Sequence, residues 1–174
     1  MPNYSWESTF REIFDRCLER YRAGDTDFNG YYTADDLYFL SSIGYKPREL
    51  FDFIEDFADE NTPSPEAALL VAAARRDFLH FEQKGQPSAN EITPGDLPAR
   101  DAELDGFRWL PRIITKARAK LRGELHPEIM YSCGGDRNFL SGNDIHPADF
   151  LRAVWACGDD DAKIAAYVRE CSGT

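Results

Sequence analysis

Tyr131-Ser132-Cys133-Gly134-Gly135-Asp136-Arg137 gathers a phenol, a thiol, a carboxylate and a guanidinium within seven residues. Two consecutive glycines let the backbone turn tightly with its N–H groups exposed, or approach a ligand closely. A thiol just before them, with Arg137 nearby, has the makings of a nucleophile. Cysteine is also among the residues most often buried, a Gly-Gly pair is commonly only a turn, and Asp136-Arg137 can be a local ion pair that fixes the loop.

A second concentration of chemistry lies just upstream. Arg108, Arg112, Lys116, Arg118, Lys120 and Arg122 are cations with no acid between them, in a chain whose formal net charge is −11. Four of them, Arg108, Arg112, Lys116 and Lys120, recur every fourth residue and so form one stripe of a helix. The opposite signature, Glu49, Asp52, Glu55, Asp56, Asp59 and Glu60, falls on an earlier helical segment. Two readings follow. Such helices, or two copies of the chain, can pair their charges, each exposed pair contributing about 0–1 kcal/mol. Alternatively Arg112 grips a carboxylate or phosphate through two hydrogen bonds.

His126, Cys133, Asp136 and His146 are the available metal-ligand types near one another in sequence, but no H-x-x-x-H or C-x-x-C spacing presets them, so no metal or cofactor is expected. His126-Pro127 and His146-Pro147 also read plainly as residues before a proline that opens a turn or helix. No phosphate-binding P-loop, nucleophile elbow or dinucleotide-binding glycine pattern occurs. The acidic balance argues against general affinity for nucleic acid or anionic lipid.

The elements that must position these residues are helical. From Ser5 to Ala23, Trp6, Phe10, Ile13, Phe14, Cys17, Leu18 and Tyr21 make one apolar stripe, with Gly24 as its stop. Thr33-x-x-Asp36 is a variant capping box that opens a short helix to Ile43. Pro47 and Ser64-Pro65 open two more helices. Residues 86–106, with Pro87, Pro94, Gly95 and Pro98, read as a surface linker. A fifth helix runs from about Arg108 to Arg122 and stops at Gly123, with Leu110 as the alternative start if Pro111 sits in its first turn. The stretch 124–143 reads as irregular, with a short extended piece at Ile129-Met130-Tyr131 and a turn at Gly134-Gly135. Helices from Pro147 and from the Asp159-Asp160-Asp161 cluster complete the chain.

Shifting the chain by 100 residues sets one half on the other. Phe39-Leu40-Ser41 falls on Phe139-Leu140-Ser141, Pro47 on Pro147, Glu49 on Asp149, Ile54 on Val154, and Phe10, Ile13 and Phe14 on Leu110, Ile113 and Ile114. The expected fold is all-α: two pseudo-repeated helical halves packed on each other, about seven helices, at most a very short extended segment. The halves are expected at 1–86 and 107–174, with the linker at 87–106. A cleft between such halves is a default place for a ligand.

The second half also resembles a known bacterial family. Gly106-Phe107-Arg108-Trp109-Leu110-Pro111-Arg112 and Lys116-Ala117-Arg118-Ala119-Lys120-Leu121-Arg122-Gly123 are similar to the L-P-R…K-x-R-A-x-L-x-G segment of domain of unknown function 5069. Asp136-Arg137-Asn138-Phe139-Leu140 and the ending from Ile145 to Val168 extend the resemblance over about residues 96–171. It implies a small, mostly helical bacterial protein and no particular activity.

The first functional expectation is a module that binds a small anionic molecule, or an acidic protein segment, between the halves, with Arg112, Lys116, Tyr131, Asp136 and Arg137 as contacts. The second is a small enzyme acting on a carbonyl or carboxylate compound, in which Cys133 or His146 does the chemistry and Arg112 holds the charge. The third is a structural dimerisation module, a homodimer without a ligand. No apolar run approaches a membrane span, the start carries no export signal, and four scattered cysteines suit a reducing cytoplasm, so a cytoplasmic protein without membrane or nucleic-acid partners is expected.

Overall fold

The computed structural model describes residues 3–173. Its eight α-helices are α1 (Trp6–Arg22), α2 (Ala34–Ser42), α3 (Pro47–Glu60), α4 (Pro65–Phe81), α5 (Leu110–Arg122), α6 (Gly134–Gly142), α7 (Pro147–Cys157) and α8 (Asp161–Ser172). The extended structure is one antiparallel pair, β1 (Glu103–Leu104) and β2 (Phe107–Arg108). The chain divides into two compact units, residues 1–85 and 86–174.

In the first unit α1 packs on α3 and α4. The α1 stripe buries Phe10, Ile13, Phe14 and Cys17 against Leu50, Phe51 and Ile54 of α3 and Ala68, Val71 and Ala72 of α4. Each large apolar side chain removed from water in this way contributes about 1.5–3 kcal/mol. Helix starts follow local chemistry. Thr33 accepts a hydrogen bond from Asp36 N while Asp36 accepts one from Thr33 N, and Ser64 caps Ala67 N.

The second unit repeats this plan. α5 packs on α7, and α7 on α8, burying Leu110, Ile113, Ile114 and Ala117 against Phe150, Leu151, Val154, Ile164 and Val168. α2 and α6 begin and end 100 residues apart, and α3 and α7 begin 100 residues apart. The turns between them repeat too: Tyr45 N bonds Leu40 O, and Ile145 N bonds Leu140 O, both at 2.9 Å. The two halves are thus pseudo-repeats in element order and in the hydrogen bonds that join the elements.

Two local expectations are corrected. The segment 134–142 is helix, not part of an irregular stretch, and Gly134-Gly135 is its first turn rather than a free-standing one. Glycine costs a helix about 1 kcal/mol relative to alanine, so the pair reads as a break. It is kept because a methyl group at Gly135 would lie 2.5 Å from Cζ2 of the Trp109 indole. The extended piece is at 103–108, not at Ile129-Met130-Tyr131. Residues 86–106 are mostly exposed, yet they are tied into the second unit: Ile92 N bonds Glu124 O at 2.8 Å, and Pro98 O accepts from Arg112.

Candidate functional site

Asp136 is the centre of the chemistry in the second unit. It lies in the first turn of α6, is fully buried, and both carboxylate oxygens are engaged. Oδ1 accepts from Trp109 Nε1 at 2.9 Å; Oδ2 accepts from Ser132 N at 2.9 Å and from Lys116 Nζ at 2.5 Å. Lys116 is itself 3% exposed and comes from the middle of α5. A buried carboxylate with three donors, one of them charged, has its desolvation offset by geometry.

The same ammonium donates to Cys133 Sγ at 3.2 Å. Cys133 is half-buried and is the residue that caps α6, without a side-chain hydrogen bond to the helix. Negative charge on Sγ would therefore face a buried cation and the positive end of a helix. Arg137, one turn into α6, donates to Ser132 O at 2.8 Å.

Backbone geometry around the cluster is unusual. Trp109 (φ 74°) and Ser132 (φ 69°) both adopt the left-handed conformation. Bulky residues rarely do so, and such positions are held only where the surroundings over-determine them. At Trp109 the turn lays the indole over Gly135 and points Nε1 at Asp136.

The remaining site candidates are placed as follows. Arg112 donates to Pro98 O at 2.7 Å and stacks on the Trp109 ring at 5.5 Å, so it braces the indole. Tyr131 is buried, its hydroxyl donating to Pro147 O at 2.7 Å; burial, then the Asp136 charge, hold its phenol well above the usual tyrosine range. His146 caps α7, its Nδ1 accepting from Ala148 N at 3.1 Å. The structure thus brings Lys116, Cys133, Asp136 and Arg137 together around α6 and gives Arg112, Tyr131 and His146 other partners.

The α5 cations find their partners inside the second unit. Arg118 reaches Gly158 O and Asp161, and Arg122 lies 3.8 Å from Asp159. The α3 acids are used in the first unit, with Glu49 accepting from Lys46 N and Asp52 pairing with Arg48 at 2.7 Å. Among the described residues no three His, Cys, Asp or Glu side chains converge as metal ligands, and no helix is long and apolar enough to cross a membrane.

Two participants escape the sequence. Trp109 reads as a member of the apolar α5 stripe, yet it is a hydrogen-bond donor to Asp136. Ser132 carries no signal in its type. The Lys116–Asp136 pair did leave one: Arg16 and Asp36 occupy the same places 100 residues earlier, and they too pair at 2.5 Å.

Residues 97–173 match the family described as Domain of unknown function (DUF5069). The DUF5069 match takes in β1 through α8, and with them every residue of the Asp136 cluster. Residues 1–96 fall outside it, so the first unit and its Arg16–Asp36 pair lie beyond the DUF5069 segment. No curated protein and no solved structure matches the chain.

Proposed function

We propose that the second unit is a small thiol-dependent enzyme module in which Cys133 is the nucleophile, acting on a small carbonyl compound. The observation that carries the reading is the 3.2 Å contact between the buried Lys116 ammonium and Cys133 Sγ. Activated cysteines sit in partly exposed, electropositive surroundings, whereas structural ones are sealed in apolar cores. Cys133 has the first environment.

The roles follow from the partners. Lys116 is the counter-charge for sulfur. Asp136, through Oδ2, positions Lys116; Trp109 and Ser132 hold Asp136. In the addition step the Sγ–carbon bond forms as the carbonyl π pair moves onto oxygen, which takes a proton from water and leaves hydroxide. In the reverse step hydroxide takes that proton back, the carbonyl re-forms and the Sγ–carbon bond breaks with its electron pair returning to sulfur. An anion-binding role for Arg112, the other expectation from sequence, finds less support because its guanidinium already bonds Pro98 O and covers Trp109.

The test is peptide-resolved alkylation of the full chain with iodoacetamide at neutral pH. Cys133 should react at least about tenfold faster than the similarly half-buried Cys157 and Cys171, and Lys116→Met should erase most of that lead. Equal rates at the three sites would overturn the proposal.

A further inference from the structure

Lys116 and Cys133 are placed to react with each other. The Lys116 ammonium is buried, donates to Cys133 Sγ at 3.2 Å and is tethered to Asp136 Oδ2 at 2.5 Å. Cys133 is a free thiol and only half-buried, so a molecule as small as a peroxide reaches its sulfur. Peroxides convert reactive thiols to sulfenic acids, which then condense with a thiol or a nitrogen close by. At Cys133 the group already in contact with sulfur is an amine.

The first unit holds neither reactant at the equivalent places. Thr33 stands where Cys133 does, as the residue that caps the helix, and its hydroxyl accepts from Asp36 N. Arg16 stands where Lys116 does and pairs with Asp36. The contact between a thiol and a buried amine therefore sets the second unit's cluster apart from its pseudo-repeat.

We propose that this contact is a redox switch, in which a peroxide oxidises Cys133 and Lys116 closes on it through a sulfur–nitrogen bond. The switch rests on the reading of Cys133 as a nucleophile and adds the regulation of that site. First, the Sγ thiolate attacks a peroxide oxygen: the S–O bond forms and the O–O bond breaks. The hydroxide that leaves takes a proton from the Lys116 ammonium and becomes water. The freed Nζ lone pair then attacks Sγ, the S–N bond forms, and the S–O bond breaks. This second hydroxide takes a proton from nitrogen, so sulfur has been oxidised and the peroxide reduced to water. A thiol reductant reverses the link by attacking Sγ: the S–N bond breaks, nitrogen takes the reductant's proton, and a second thiol resolves the mixed disulfide. The link removes the nucleophile and its counter-charge together, and it spares sulfur the sulfinic stage, from which thiols do not recover it.

The test treats the full chain with hydrogen peroxide and maps its peptides by mass spectrometry without reductant. A peptide containing Lys116 should be joined to one containing Cys133, lighter than their sum by two hydrogen atoms. Dithiothreitol should part them and restore iodoacetamide labelling of Cys133. Lys116→Arg keeps a cation beside the thiol, as the first unit does with Arg16, but removes the amine. Its oxidised Cys133 should take up at least about tenfold more dimedone, a trap for sulfenic acid, than the unsubstituted chain. The peptide map uses the unsubstituted chain, so it decides the question whether or not Lys116→Arg folds. Fast alkylation of Cys133 with no joined peptide, the sulfur passing instead to sulfinic acid or to a disulfide, would overturn the switch and leave the nucleophile reading standing. Alkylation no faster than at Cys157 and Cys171, again with no joined peptide, would overturn the nucleophile reading and the switch with it.

Discussion

Lys116 meets Asp136 across the same twenty-residue span that joins Arg16 to Asp36, and at the same 2.5 Å. The two pairs differ in burial. Lys116 and Asp136 side chains are 4% and 0% exposed, whereas Arg16 is 46% exposed. Removing one partner of a buried pair strands a charge and costs about 3–5 kcal/mol. The Arg16–Asp36 pair is half-exposed, with Asp36 buried and Arg16 reached by solvent, so the Asp36 carboxylate left by Arg16→Ala can still be hydrated and screened. Lys116→Ala is therefore expected to destabilise its unit by several kcal/mol and Arg16→Ala by clearly less. Urea denaturation of the two variants checks this; similar losses would remove the distinction.

Asp36 makes the first unit sensitive to acid. Burial alone would raise its carboxyl, but the Thr33 amide, the Arg16 guanidinium and the Thr33 hydroxyl outweigh that and hold it below the ordinary carboxylate range. A folded-state value lower than the unfolded one gives stability that is present above about pH 4 and lost as pH falls through the folded value. Asp36→Asn should therefore flatten the acid limb of a stability-against-pH curve. An unchanged acid limb would show that other carboxylates govern it.

Cys17 offers a contrast to Cys133 within the same chain. Burial pushes its thiol up to about 11, with Arg16 lowering it and Asp36 raising it by lesser amounts. It should resist alkylation at neutral pH in the folded chain and react only once α1 leaves the core, so its labelling in rising urea should follow unfolding of the first unit. Labelling in native buffer at the pace of Cys171 would contradict the packing around α1.

How much of this was legible beforehand depends on the kind of signal. Caps, prolines and the apolar stripe of α1 are local, and Thr33, Pro47, Ser64 and Pro147 each mark a helix start as their types predict. α6 was not legible from propensity, since Gly134-Gly135 argues for a break. The 100-residue shift onto Ala34–Ser42 held a signal for it, but the stretch 124–143 still reads as irregular from its own residues. The site was half-legible. Cys133, Asp136 and Arg137 stand together in sequence, but nothing in residue type tells that a lysine will be buried. The left-handed turn that aims Trp109 at Asp136 is likewise a tertiary outcome, because the indole is held by packing on Gly135, by Arg112 over its ring and by its bond to Asp136.

The contact with Gly135 sets two neighbouring glycines against each other. A methyl group at Gly135 would come 2.5 Å from Trp109 Cζ2 and 2.8 Å from Cη2, so the indole must move and its bond to Asp136 Oδ1 must stretch or break. Overpacking of this kind costs about 1–3 kcal/mol. At Gly134 the added methyl has room, with Arg137 Nη2 at 3.9 Å, and alanine relieves the backbone entropy that glycine loses in a helix, worth about 0.5–1 kcal/mol. Gly135→Ala should thus lower stability and change tryptophan emission, while Gly134→Ala should leave emission alone and hold or raise stability. If both substitutions proved equally mild, the indole would not be packed on α6, and Asp136 would lose the donor that fixes its Oδ1.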